Sequence, residues 1–109
     1  MKKLLLLLST ITILLSNPTL NDKERCTNDL ENLSDSLKKV FAYINSKNIN
    51  EAKAEAHQWQ IKLIDFRIEC KEVDEYMTSI GHPPAIVKFN EIEQSLVDNG
   101  YLKGSSVIK

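Results

Sequence analysis

The stretch that decides the fold is NEAKAEAHQWQIKLIDFRIECKEVDEYMTSIGHPP, residues 50–84. Its apolar residues recur at alternating steps of four and three, which is the spacing of a coiled-coil seam. Gly81 is a good helix stop, and Pro83 and Pro84 cannot continue a helix. The pattern therefore predicts one long helix over residues 51–80. Its seam consists of Ala52, Ala56, Trp59, Leu63, Phe66, Cys70, Val73, Met77 and Ile80.

The segment before this helix carries a matching seam. Apolar residues between positions 22 and 45 follow the same alternating steps, and residues 46–50 have the composition of a turn, with Asn50 as a suitable N-cap. Folding the two helices back at Asn48 brings their seams into register, which predicts an all-α, antiparallel, coiled-coil-like helical hairpin. The predicted pairs are Ile44 with Ala52, Val40 with Ala56, Leu37 with Trp59, Leu33 with Leu63, Leu30 with Phe66, and Cys26 with Cys70.

The two cysteines of the chain meet in this register, although they were not needed to define it. We therefore predict one disulfide, Cys26–Cys70, as is typical of exported proteins with an even number of cysteines. A bond that closes a loop of about 44 residues contributes roughly 4 kcal/mol in the chain-entropy treatment.

The remaining chain predicts a third, shorter helix that starts at Pro84, continues to about Asn99 and stops at Gly100. We expect Phe89 and Ile92 to pack across the open end of the hairpin, where the second helix extends past the first. The predicted organisation is a signal peptide over 1–20, the hairpin with its third helix over 21–100, and a flexible tail over 101–109.

The N-terminal segment has the pattern of an export signal. Lys2 and Lys3 precede the apolar run Leu4–Leu15, which is shorter than the roughly 20 residues that cross a bilayer but suits a signal peptide. Ser16 and Thr19 are the candidate cleavage positions. The pattern predicts a secreted or periplasmic protein; the alternative is an uncleaved anchor, and we expect membrane contact only in that case.

The charge balance argues against nucleic-acid binding. The chain has 14 Lys and Arg residues against 15 Asp and Glu residues, a formal net charge of −1, and signal cleavage would remove Lys2 and Lys3. The charges are dispersed, whereas phosphate recognition needs clustered Lys and Arg. We therefore expect no nucleic-acid partner.

The two histidines lack the context of a metal or catalytic site. His57 is at an outward helix position and His82 lies in a Gly-His-Pro-Pro connector. The chain contains neither a His-Glu-x-x-His nor a Cys-x-x-Cys motif. We expect no enzymatic activity, no metal and no cofactor.

Carboxylates line one side of the second helix at Asp65, Glu69 and Glu72, and they alternate with Arg67 and Lys71. Paired carboxylates can perform acid–base chemistry when a cleft encloses them. Two packed helices offer no such cleft, so we predict a salt-bridged solvent face.

One apolar stripe has no partner in the hairpin. It lies about 150° from the seam on the back of the second helix, at 100° per residue. One interpretation is a binding face for a protein partner or for a second copy of the chain; the other is cover by the third helix or by Tyr101, Leu102, Val107 and Ile108. The stripe consists of Ile61, Ile64 and Ile68, with His57 beside them.

These patterns favour an exported, non-catalytic interaction module, such as an inhibitor, an immunity-type protein or an accessory scaffold protein. One alternative is a periplasmic helical bundle that carries a small ligand or haem, and another is a membrane-anchored small subunit. The stretches DLENLSDSLKKV and INEAKAEAHQWQ resemble helices of cytochrome b562-type bundles in composition and rhythm. That resemblance implies a methionine in the first helix and a histidine in the last helix as haem ligands. In this chain the first helix has no methionine and the last has no histidine, so we do not infer that the chain belongs to this family.

Overall fold

The computed structural model describes residues 19–107, and within that range the chain forms three helices and no strand. Helix α1 spans Leu20–Asn45, α2 spans Ile49–Ser79 and α3 spans Ala85–Asp98. The predicted all-α class is confirmed for this range. The predicted signal segment lies outside the described residues, apart from its last two positions. No helix of residues 19–107 is long and apolar enough to cross a membrane.

A disulfide joins α1 to α2, as the sequence predicts. Cys26 and Cys70 are bonded, with their Cα atoms 5.8 Å apart. Further along, the Ser36 hydroxyl donates to the Glu55 carboxylate at 2.8 Å. Because later positions of α1 meet earlier positions of α2, the two helices run antiparallel.

The core lies between these two helices and continues under α3. Seam residues are buried over most of its length, and Leu30 and Ile44 at its edges are half-buried. Burial of these side chains is the main source of stability, at about 25 cal/mol per Å² of apolar surface removed from water. The buried seam residues are Cys26, Leu33, Leu37, Val40, Ala52, Ala56, Trp59, Leu63, Phe66, Cys70 and Val73.

The turn between α1 and α2 is a Schellman motif without glycine. Asn48 N–H donates to the Tyr43 carbonyl at 2.8 Å, and Lys47 N–H donates to the Ile44 carbonyl at 3.0 Å. Lys47 takes a φ of 62°, in the left-handed region that glycine normally occupies at this position. The turn therefore carries a backbone cost that a glycine would avoid.

Helix α3 begins with a cap that is supplied by α2. Pro84 has no side chain that could cap the helix, and the Asp74 carboxylate instead accepts hydrogen bonds from Ala85 N–H at 2.9 Å and Ile86 N–H at 3.3 Å. Two otherwise unpaired N–H groups of the first turn are thereby satisfied by a negative charge, which also suits the helix dipole.

Helix α3 then runs back along α2 rather than across the open end of the hairpin. Phe89 packs edge-on against Trp59 and Phe66, with ring centroids 6.2 and 6.0 Å apart. Glu93 reaches Gln60, more than three turns of α2 before the Asp74 cap. The expectation that Phe89 packs across the open end of the hairpin is therefore wrong. Polar partners spaced along α2 fix the direction of α3, and they place Phe89 beside Trp59 and Phe66.

The segment after α3 lies against the helices as far as Val107. Gly100 takes a φ of 84°, and Tyr101 N–H donates to the Leu96 carbonyl at 2.8 Å, so the chain turns back at this point. Leu102 is buried. The sequence predicts a flexible tail over 101–109, whereas the structure gives residues 101–107 a defined contact with α2 and α3; the other two residues lie outside the described range.

Candidate functional site

The isoleucine stripe stays open to solvent on the back of α2. Ile61 is 45% exposed, Ile64 38% and Ile68 75%, and His57, one turn before Ile61, is also exposed. These side chains project away from the seam that packs on α1, so the hairpin itself cannot cover them.

One edge of the stripe meets α3 and the segment that follows it. Ile64 and Ile68 line a shallow groove of about 300 Å³ with Ile86 of α3 and Val107. The rest of the groove wall is polar and includes Lys71. Helix α3 and residues 101–107 therefore border the stripe and leave its isoleucines 38–75% exposed. Ile108, the other predicted cover, lies outside the described residues.

The opposite edge of the stripe is acidic. Asp65, Glu69 and Glu72 are exposed, and none of them forms an ion pair among residues 19–107. The predicted salt-bridged face is wrong in this respect, because Arg67 turns the other way and pairs with Glu93. Lys71 likewise forms no ion pair in the described range.

The acidic edge continues into a groove between α1 and α2. This groove has a volume of about 430 Å³, and only Lys39 and Lys62 contribute positive charge to its lining. The acidic residues of the lining outnumber these lysines, so the groove is negative. They are Asp29, Asp35, Glu55, Asp65 and Glu69.

A buried carboxylate joins α3, α2 and the segment after α3. Glu93 is fully buried. Its Oε1 accepts hydrogen bonds from Ser105 Oγ at 2.9 Å and from Ser106 N at 3.0 Å. Its Oε2 accepts hydrogen bonds from Gln60 Nε2 at 3.1 Å and from Ser106 Oγ. Arg67 Nη2 lies 3.2 Å from Oε1 as an ion-pair contact, not a well-directed hydrogen bond. Residues 104–106 are thus held beside the isoleucine stripe.

Two opposing effects set the pKa of Glu93. Burial raises the pKa because the charged form loses hydration. The hydrogen bonds from Ser106, Gln60 and Ser105 favour the charged form and together outweigh burial, so the pKa of Glu93 lies below its ordinary value of 4.5. The carboxylate is therefore charged at neutral pH and serves as an anchor for its neighbours.

The polar network around Arg67 extends beyond Glu93. Arg67 Nε donates to Asn90 Oδ1 at 2.8 Å, Arg67 Nη1 donates to Ser106 Oγ, and Gln60 Nε2 donates to the Gly104 carbonyl at 2.8 Å. This network was not predicted from the sequence. One signal could have pointed to it: Glu93 directly follows the apolar Ile92 on α3, within one turn of Phe89 and Leu96, where a carboxylate can be buried only if it is paired.

A second cleft opens beside the disulfide, between α1 and the start of α3. Its volume is about 360 Å³. The lining is mostly apolar, and its polar members are Thr27, Ser34, Asp74, His82 and Lys88. Its apolar lining consists of Cys26, Leu30, Phe66, Cys70, Val73, Met77, Pro83, Pro84, Ala85 and Phe89.

No group of three or more His, Cys, Asp or Glu side chains comes together as a metal site within residues 19–107. His57 and His82 are exposed and lie on different elements. The candidate site is the isoleucine stripe with its acidic edge, because a row of exposed isoleucines beside exposed carboxylates is unusual on a protein surface.

In comparisons with known proteins, no protein-family model, no curated protein and no solved structure matches this chain.

Proposed function

We propose that this chain is an exported, non-catalytic helical module that binds a protein through the back of α2. The observation that carries the proposal is the exposure of three isoleucines in one row, with Ile68 at 75%. Contiguous exposed apolar side chains are typical of interaction sites in soluble proteins. The face comprises Ile61, Ile64 and Ile68, with His57 at its end.

Export is supported by the predicted signal peptide and by the disulfide. Cys26 and Cys70 are both almost fully buried, and structural disulfides are typical of oxidising, exported compartments. Cleavage after Ser16 would keep Thr19, whose side chain accepts the Asp22 N–H at 3.1 Å and caps α1. We therefore favour cleavage after Ser16, and the intact mass of the native protein distinguishes it from cleavage after Thr19 and from a retained membrane anchor.

The size of the face suits a reversible interaction. The three isoleucines are 45%, 38% and 75% exposed, so a partner would remove from water the equivalent of about one and a half side chains. This burial contributes roughly 2–5 kcal/mol before association costs are subtracted. Those costs take much of this free energy, so polar contacts at the edges of the stripe must supply the remainder. Such a module fits the role of an inhibitor, an immunity-type protein or an accessory scaffold.

Ile68→Asp tests this function with little risk to the fold, because Ile68 is largely in solvent. Phe41→Asp is the matched control, since Phe41 is 46% exposed on α1. We expect the partner that wild type captures from its native host under oxidising conditions to be retained by Phe41→Asp and lost by Ile68→Asp. If Ile68→Asp alters neither the captured proteins nor the oligomeric state in sedimentation, the face is not an interaction site.

A second candidate function is favoured by the apolar cleft beside the disulfide. A volume of about 360 Å³ is at the small end of ligand sites. Lys88 in the lining suits an acidic head group, and the Asp74 carboxylate, which also lines the cleft, is engaged by the first N–H groups of α3. This supports the alternative of a carrier for a small apolar carboxylic acid. Met77 and His82 line the same cleft and lie close together, since the backbone N–H of His82 donates to the Met77 carbonyl at 3.0 Å.

Calorimetric titration with dodecanoate and with dodecanol tests this carrier. We expect dodecanoate to bind more tightly than the alcohol, and Lys88→Glu to remove the difference. Lys103→Glu is the control for net charge, because Lys103 is exposed and outside the cleft. Absence of heat with both ligands would exclude this candidate, and a visible absorption spectrum of the native protein tests for haem directly.

A further inference from the structure

We propose that the partner presents a basic amphipathic helix to the back of α2, with its apolar side chains on the isoleucine stripe and its Lys or Arg side chains over the acidic edge. The acidic edge is defined as Asp65, Glu69 and Glu72. This inference rests on the proposed function and specifies the chemistry of the partner.

The spacing of the stripe is that of a helix-packing seam. The positions Ala54, His57, Ile61, Ile64 and Ile68 alternate in steps of three and four, which is the same spacing that α2 uses on its other side to bury α1. A helix laid along this row can place its own apolar residues between the isoleucines. Residues of α3 and of 101–107 reach only one edge of the row, so the row itself is open to such a helix.

The charges beside the stripe determine which helix fits. The carboxylates of the acidic edge form no ion pair among residues 19–107, and the groove behind Asp65 and Glu69 adds Asp29 and Glu55. An acidic helix would meet like charge along this entire edge. A helix with Lys or Arg on the corresponding flank gains an ion pair at each carboxylate, and this complementarity sets partner choice and association rate.

A second copy of the chain satisfies these charges less well. Two copies that pair antiparallel through the stripe place equal flanks opposite each other, so that acidic edge meets acidic edge. A parallel pair would bring Lys53 and Lys71 toward that edge but would add no cation to the acidic groove between α1 and α2. The charge pattern therefore favours a different protein with a basic helix.

Two synthetic helical peptides of equal length test the inference. Both carry the same leucine row, one with lysines and the other with glutamates on the flanks. Fluorescence anisotropy at low and at high salt gives the Kd of each peptide for the full chain. We expect the lysine peptide to bind about tenfold more tightly at low salt, as three exposed ion pairs would give, and the preference to shrink at high salt.

Two variants of equal net charge locate the preference. The variant Asp65→Asn, Glu69→Gln, Glu72→Gln neutralises the acidic edge and is expected to bind both peptides alike. The control variant Glu24→Gln, Glu31→Gln, Glu91→Gln neutralises three exposed carboxylates elsewhere and is expected to keep the preference for lysine. Ile68→Asp is expected to weaken the binding of both peptides.

Each contrary result has a distinct meaning. If both peptides bind equally well and Ile68→Asp abolishes their binding, the partner is not a basic helix, but the isoleucine stripe is still an interaction face. Loss of the preference in the control variant overturns the inference, because net charge alone would then explain it. A dimer that Ile68→Asp dissociates identifies a second copy as the occupant, which also overturns it. Binding of neither peptide overturns the basic helix, while partner capture still tests the proposed function.

Discussion

On one side α2 packs against α1 through apolar side chains and a disulfide, whereas on the other side it packs against α3 and residues 101–107 around a buried carboxylate. The first interface repeats one kind of contact along its length, and on α1 its seam is buried at Cys26, Leu33, Leu37 and Val40. The second combines the aromatic contacts of Phe89 with the hydrogen bonds of Glu93. The two interfaces therefore respond differently to the loss of a single group.

The difference follows from the physics of the two kinds of contact. Apolar burial is non-directional and spread over many atoms, so one weakened contact leaves its neighbours in place. A buried carboxylate needs all of its donors, because a group that loses its partner also pays for its desolvation. The first interface should therefore lose stability in small steps, and the second should fail as a unit.

The largest effect is expected at the covalent tie of the first interface. The variant Cys26→Ala, Cys70→Ala should lose about 4 kcal/mol of unfolding free energy, because the unfolded chain is released from a loop with a sequence separation of 44. Urea denaturation measures the loss. Reduction of the wild type should reproduce it, and a loss below about 1 kcal/mol would show that the apolar seam holds the start of α1 without the disulfide.

The next largest effect is expected at Glu93. Glu93→Ala should cost about 3 kcal/mol, since Arg67, 16% exposed, loses its charged partner. Glu91→Ala, at an exposed neighbour on α3, should change stability by about 0.5 kcal/mol or less.

Hydrogen exchange separates the two interfaces in the Glu93 variant. Faster exchange should be confined to α3 and residues 101–107, with the amides of the α1–α2 seam unchanged at early times. Uniform acceleration along all three helices would contradict the view that the second interface fails as a unit.

The part of the fold that the sequence predicts is the part built from a repeated spacing. The seam of α2 points to α1, and once the register is set Cys26 must meet Cys70. The direction of α3 does not follow from its apolar stripe, because Phe89 can pack at several places along α2. It is decided by Asp74 at one end and Gln60 at the other, which are single polar contacts between residues far apart in sequence.

The candidate site was predictable to a similar extent. The position of Ile61, Ile64 and Ile68 outside the seam follows from their angle to it, but their exposure does not, because the sequence equally allows the third helix or the tail to cover them. The structure leaves these side chains 38–75% exposed. The bare acidic edge was not predictable, because spacing alone assigns Arg67 to its neighbours on the same helix. Only the burial of Glu93 shows that Arg67 is engaged elsewhere.

A smaller effect is expected on acidification, and it again concerns the second interface. The pKa of folded Glu93 lies below 4.5, so the stability from its charged form is complete above that pH and is lost as the pH falls through the folded pKa. Thermal unfolding of wild type and of Glu93→Gln should therefore differ above pH 4.5, and the difference should shrink below pH 4.5 until the pH has passed the lower folded pKa of Glu93. A gap between the two proteins that stays constant down to the lowest pH would contradict this sign.

The smallest effect is expected at the turn of the hairpin, where it would stabilise the first interface. Lys47 takes the left-handed conformation at a φ of 62°, while the equivalent positions after α2 and α3 are Gly81 at 105° and Gly100 at 84°. Lys47→Gly should raise stability by about 0.5–1 kcal/mol, because relief of the left-handed strain exceeds the added freedom of glycine in the unfolded chain. Lys47→Ala keeps the strain and should give no gain. Equal stability of the two variants would mean that the Schellman hydrogen bonds, and not the backbone conformation of residue 47, limit the turn.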